Sequence, residues 1–253
     1  IIVQNDANPW QMIIDGCKLA AQDIDFSGFD GDKDGLVDGI HVIYAGLGQA
    51  NGGNVNTVWP HRSQINLILD NVTIKDYSCS AEMKPSGMSG IGTICHELGH
   101  VLGLLDYYDT DYATNGITPT LGTLDIMDIG SYNNDENTPP LYNAFSRIRL
   151  GWVDPIILNA GSLHEYTAYP MQDSNQVFRI NTLTEGEYFL IENKQRTSWD
   201  EYMYNGAQYS GGLVVLHVDE NGPGWNNNCL NCYASHPSIR LIHADNKADG
   251  QEY

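Results

Sequence analysis

His96-Glu97-Leu98-Gly99-His100-Val101-Leu102-Gly103-Leu104-Leu105-Asp106 is the stretch on which the reading of this chain turns. Its first five residues follow the pattern H-E-x-x-H, in which two histidines four apart share a helical face and can reach one ion. Ile91, Ile94, Cys95, Leu98, Val101 and Leu102 recur around them at helical spacing, which predicts a helix capped by Ser89 and ended at Gly103. A catalytic zinc ion needs three protein ligands and one open position. Glycine tolerates the left-handed conformation that ends a helix sharply, so Gly103 can swing the chain until Asp106 points back at the ion. Glu97 projects from the adjoining edge of the helix and is the candidate general base. Without a metal, His96 and His100 would be partly exposed helix residues, Gly103 a routine helix end and Asp106 a loop acid. The combination at this spacing, on a helix apolar enough to be buried, favours the metal, because buried imidazoles would otherwise lack partners.

Further along, Leu124-Asp125-Ile126-Met127-Asp128 places a methionine where metzincins carry one in a tight turn beneath zinc. Alone, Met127 would read equally well as a core gap-filler. Upstream, Asp30, Asp32 and Asp34 precede Gly35, with Leu36 to offer a carbonyl and Asp38 at the ninth place of a calcium loop. The twelfth place is His41, not Glu, and a strand follows, which excludes an EF-hand. A calcium-stabilised turn is the expectation, with an Asx-rich turn of solvated carboxylates as its alternative. Asp109, Asp111, Asp135 and Glu136 form weaker candidates for such a site, and the reading preferred for them is ordinary loop acids.

The chain has 253 residues, 42% of them hydrophobic, enough for one large domain or two modest ones. A net charge of −20 disfavours nucleic acid and anionic membrane surfaces as partners. No apolar run is long enough to span a bilayer. The opening residues lack a basic leader and an apolar stretch, so any export signal is expected upstream of Ile1 or to have been removed. Five cysteines are too few for a disulfide scaffold. Cys229 and Cys232 have C-x-x-C spacing, and without a second such pair a local disulfide in a surface loop is preferred to a metal site. Cys17 and Cys95 read as small buried hydrophobes.

Asn8-Pro9 opens a first helix, with Met12, Ile13, Cys17, Ala20, Ala21 and Ile24 on its inner side. Residues 39–45 read as a buried strand, and 59–77 as strand and loop in which Ile65, Leu67 and Leu69 alternate. A long polar connection covers 109–132, and Pro139-Pro140 starts a third helix stopped by Gly151. Short strands at 188–191, 213–218 and 239–242 follow. The fold class is α+β.

These segments resemble the immune inhibitor A family of secreted bacterial metallopeptidases, a metzincin-like group. The likeness runs from Asp25-Phe26 to Gly46, through Trp59-Pro60-His61-Arg62, the zinc string with Tyr107-Tyr108-Asp109, Asp125-Ile126-Met127 with Gly130-Ser131, and Leu150-Gly151-Trp152. It continues over 187–195 and 212–219. It implies a metzincin-like zincin catalytic domain: a sheet with the active-site helix in an upper subdomain (1–106), and a lower subdomain (107–253) with the Met-turn and a β-rich end. It also implies strands upstream of Ile1. His96, His100 and Asp106 would hold zinc, Glu97 would be the base and Met127 the turn. The chain departs from the family's pattern at Leu105, where Pro is usual, and at Tyr132, where Trp is common. Tyr132 is a candidate for steadying the oxyanion at the cleft rim.

The function expected is zinc-dependent endopeptidase action on proteins or peptides, by a secreted or cell-surface monomer that also binds calcium. Two rivals remain: a catalytically silent surface-binding protein on the same scaffold, and a calcium-dependent binding module built on the β-rich half.

Overall fold

The computed structural model describes residues 8–113, 116, 120–159, 161, 164–204 and 211–244, so the 109–132 connection lies partly outside the described residues. The chain divides into two compact units, Ile1–Gly103 and Leu104–Tyr253. Among the described residues no helix is long and apolar enough to cross a membrane.

The first unit is built on a four-stranded sheet of β1 (Ile40–Leu47), β2 (His61–Leu69), β3 (Val72–Lys84) and β4 (Gly87–Met88). The central β3 runs parallel to β1 and antiparallel to β2 and β4. Asp70 and Asn71 join β2 to β3 with φ of 50° and 66°, the paired left-handed conformation that suits short-polar residues in a tight hairpin. Helix α1 (Pro9–Ala20) buries Ile13 and Cys17 against Phe26, Val37, Val72, Ile74, Tyr77 and Cys79. Burial pushes the Cys17 and Cys95 thiols up, which keeps them protonated.

Several expectations need correction here. Asn8 precedes α1 but its side chain caps nothing; only its carbonyl accepts, from Gln11. Ile24 lies past the helix and is exposed. Strand β1 is half-buried rather than buried, with Ile43 turned outward. Residues 59–77 were read as strand and loop, yet most of them lie in β2 and β3, and β3 runs unbroken through thirteen residues. It can do so because His41 on β1 sets Nδ1 2.8 Å from Ser78 Oγ and Nε2 2.9 Å from Ser80 Oγ. Those two hydroxyls are fully buried and would be costly if left without partners.

The second unit carries a five-stranded sheet in the order β5 (Ile156–Ile157), β6 (Phe178–Asn181), β7 (Glu187–Gln195), β8 (Gly211–Asp219), β9 (Ile239–Leu241). It is antiparallel except for β5 with β6. Strict alternation along β7 buries Tyr188, Leu190, Glu192 and Lys194 on one face. The two ionic members are compensated. Glu192 accepts from Arg147 at 2.6 Å and from the Ala144 amide at 3.1 Å, which docks helix α3 (Ala144–Arg149) on the sheet. Lys194 donates to the Leu124 and Leu141 carbonyls and pairs with buried Asp200 at 3.3 Å. Helix α3 is shorter than Pro139-Pro140 suggested, because Asn143 is its cap, accepting from the Ser146 amide at 3.0 Å.

Candidate metal centre

Helix α2 (Gly92–Val101) carries both histidines, with His96 buried and His100 half-buried. It packs against β3 and β2. Its N-cap is Ile91, not Ser89: the Ser89 amide is committed to the Glu82 carbonyl at 2.8 Å and its hydroxyl caps nothing. Ile91, Leu98 and Leu102 are exposed, so the apolar face is narrower than the helical pattern suggested. The two imidazoles stand edge to face, ring centroids 4.8 Å apart and planes at 87°. Gly103 has φ +96° and its amide donates to the His100 carbonyl, which ends the helix as a glycine in the left-handed region can. One ligand atom from each of His96, His100 and Asp106 lies within 4.8 Å of the others. Two imidazole nitrogens and a carboxylate, mostly removed from water, suit zinc. Glu97 follows His96 on α2 and is half-buried.

The loop carrying Asp106 is pinned by three parts of the second unit. The Tyr107 amide donates to the Met127 carbonyl at 3.1 Å. Fully buried Tyr107 places its hydroxyl 2.6 Å from Ser146 Oγ on α3, and burial pushes that phenol far above its ordinary range. The Asn231 side chain donates to the Tyr107 carbonyl at 2.7 Å. Asn228 forms two bonds with Asp106: its Oδ1 accepts from the Asp106 amide at 2.8 Å, and its Nδ2 donates to Asp106 Oδ2 at 2.6 Å.

The methionine turn is held from inside by two carboxylates. Asp128 Oδ2 accepts from the amides of Thr120, Leu121 and Gly122, and Asp125 from those of Met127 and Asn143. Met127 is fully buried. Gly130 is required by close approach, since a Cβ there would run into the Asp125 carbonyl and Pro140. Tyr132 ends the short 3-10 turn after Asp128 and is 61% exposed.

Burial pushes the Asp125 carboxyl up from its usual 3.8 to about 7, against the opposing pull of Lys194 and of the two amides. A carboxyl whose folded pKa is raised stabilises the fold fully below about 4, and that contribution is lost as pH rises to about 7. Measured against Asp125→Asn, wild-type unfolding free energy is therefore expected to decline across this window and then level off. A difference that ignores pH between 4 and 7 would contradict the assignment.

Asp30, Asp32 and Asp34 each bring a carboxylate oxygen within 4.8 Å of the others. They also close the turn themselves: Asp30 accepts from Asp34 and Gly35, Asp32 from Asp34, Asp34 from Leu36, and Asp38 from Gly31. Leu36 and Asp38 are not part of the three-carboxylate cluster. Cys229 and Cys232 form a disulfide with Cα atoms 5.3 Å apart, buried rather than on the surface. Their bonding to each other removes thiolates from the nearby grouping with Asp111. Asn228, Asn231 and Lys194 were missed in the sequence, as was the anchoring of the turn by Asp128; the C-x-x-C pair was the one signal pointing to the two asparagines.

Residues 17–153 match the immune inhibitor A peptidase M6 catalytic domain. Immune inhibitor A of Bacillus thuringiensis subsp. alesti is 32% identical over 111 residues, covering 37% of this chain and 15% of that protein. The aligned part thus spans well under a quarter of that relative's length. The matched segment contains α2, the Asp106 loop, the methionine turn and α3, and the chain belongs to the immune inhibitor A family of M6 metallopeptidases.

Proposed function

We propose that the protein is a zinc-dependent endopeptidase in which His96, His100 and Asp106 hold the metal and Glu97 is the general base. The convergence of those three donors, with Glu97 next to one of them on α2, supports this reading above any other feature. Zinc, when bound, supplies Lewis acidity towards a water molecule and the scissile carbonyl. The Glu97 carboxylate takes the water's proton and delivers it to the leaving nitrogen. Met127 is assigned to the turn that ties down the Asp106 loop, since its carbonyl accepts from the Tyr107 amide, and the exposed Tyr132 phenol is assigned as donor to the oxyanion. The substrate is a protein or peptide, and the protein acts as a monomer. A buried disulfide fits action outside the cell. The Asp30, Asp32 and Asp34 turn is assigned to calcium, which would offset their mutual repulsion.

Cleavage of denatured casein tests this. The purified protein is expected to cut it, to stop in 1,10-phenanthroline and to recover when zinc is returned. Activity indifferent to the chelator, or a protein that takes up zinc and cuts nothing, contradicts the proposal.

A further inference from the structure

A polar side chain that bonds the third ligand comes from far along the chain. Asp106 and Asn228 are 122 residues apart, yet they form a two-bond pair inside the second unit. The pairing fixes the amide's orientation. Its carbonyl oxygen must face the Asp106 N–H, and its NH2 must face the carboxylate, since a flipped amide would set donor on donor and acceptor on acceptor. An NH2 on Oδ2 restricts rotation of the carboxylate about its own axis, and the bond to the amide fixes the backbone from which it springs.

Asn228 is itself held in place. It sits at φ +55°, a left-handed conformation asparagine tolerates, immediately before the Cys229–Cys232 disulfide. Its carbonyl accepts from the hydroxyl of Thr110, further along the same loop, at 2.5 Å. The Cys229 amide bonds the Gly224 carbonyl, and the Ser238 amide bonds the Leu230 carbonyl, tying the loop to the residues before β9. Asn231, within the disulfide ring, fastens Tyr107. The closed ring and the residue just before it thus present two asparagines, Asn231 and Asn228, to consecutive residues of the ligand loop.

We propose that Asn228, presented by the Cys229–Cys232 loop, is the positioning residue that orients Asp106 as a metal ligand. The proposal rests on the zinc reading above. Partners that orient a ligand commonly change metal affinity by 10–100-fold when removed. Asn228→Gly deletes the side chain while keeping a residue at ease with a positive φ.

The test is competition for zinc against a chromogenic chelator, with cobalt absorption spectra of the same proteins and thermal unfolding of their apo forms. Asn228→Gly is expected to bind zinc about 10–100-fold more weakly and to show a cobalt spectrum changed in position or intensity. Cys229→Ser/Cys232→Ser keeps the asparagine but loosens its mount, and is expected to shift both readouts in the same direction by a smaller amount. This second variant keeps the test alive should the first not fold. Zinc affinity within twofold of wild type, or weaker affinity with a lower apo melting point and an unchanged cobalt spectrum, overturns the proposal, the latter by leaving Asn228 only a structural part. A wild-type protein that takes up no zinc overturns the metal reading itself, which separates the two failures.

Discussion

Glu97→Gln is expected to take up zinc as the wild type does and to lose about 10²–10⁴-fold in turnover on denatured casein, the range typical of a deleted general acid–base. The substitution is close to isosteric. Its amide still occupies the space of the carboxylate on α2, so His96 and His100 keep their edge-to-face arrangement 4.8 Å apart and the three-donor cluster is untouched. What disappears is the ability to accept a proton and return it to the leaving nitrogen. The loss should fall on kcat more than on KM, because the proton moves in the transition state and little of it bears on ground-state binding. Zinc content and activity measured on the same preparation decide the matter. If the variant holds zinc and cuts casein within tenfold of wild type, the base is another group; if it fails to hold zinc, Glu97 serves the metal rather than the proton.

What could be read from the sequence was local, and what could not was long-range. The spacing of His96 and His100 is a property of one helical turn, and Gly103 and Asp106 follow within six residues, so their convergence needs no knowledge of the rest of the chain. The chemistry of Asn228 needs a contact across 122 residues that no periodicity signals. Polar residues inside strands produced another group of errors. Ser78 and Ser80 broke the apolar pattern of β3, and only His41 on the neighbouring strand shows why they belong there. The polar run Glu192-Asn193-Lys194-Gln195 suggested that the strand stopped near Ile191. It continues to Gln195 because Glu192 and Lys194 meet Arg147 and Asp200 beneath the sheet.

Helix starts failed for a related reason. A cap is decided by which amide is free, not by which residue could accept. Ser89 was a reasonable cap on composition, but its backbone is still paired with Glu82 at the end of the hairpin, and α2 begins two residues after Gly90. Asn143 was overlooked beside the more conspicuous prolines, although its side chain is the one that reaches the Ser146 amide. Ser146 and Asn143 then matter to the site, since the first meets the Tyr107 hydroxyl and the second donates its amide to Asp125.

Lys194→Met is expected to give the largest loss of stability of any single substitution considered for the second unit. The lysine is fully buried and its ammonium serves three acceptors: the carbonyls of Leu124 and Leu141 and the carboxylate of Asp200, itself fully buried. Methionine keeps the volume and most of the stem's packing, so the effect isolates the charge. Asp200 would retain the Leu141 amide and the Gln172 side chain, but not a cation. Leaving one half of a buried pair uncompensated costs about 3–5 kcal/mol. At roughly 2–4 °C per kcal/mol for a unit of this size, melting should fall by about 6–20 °C. The double variant Lys194→Met/Asp200→Asn separates charge from packing. With no carboxylate left stranded it should recover a substantial part of the loss, though Leu124 and Leu141 still lack their donor. Leu124 leads directly into the Asp125–Asp128 turn, so the single variant should also bind zinc more weakly, and the double variant should regain some of that affinity. Melting within about 3 °C of wild type for the single variant, or a double variant no more stable than the single, would show that the buried pair does not hold this turn in place.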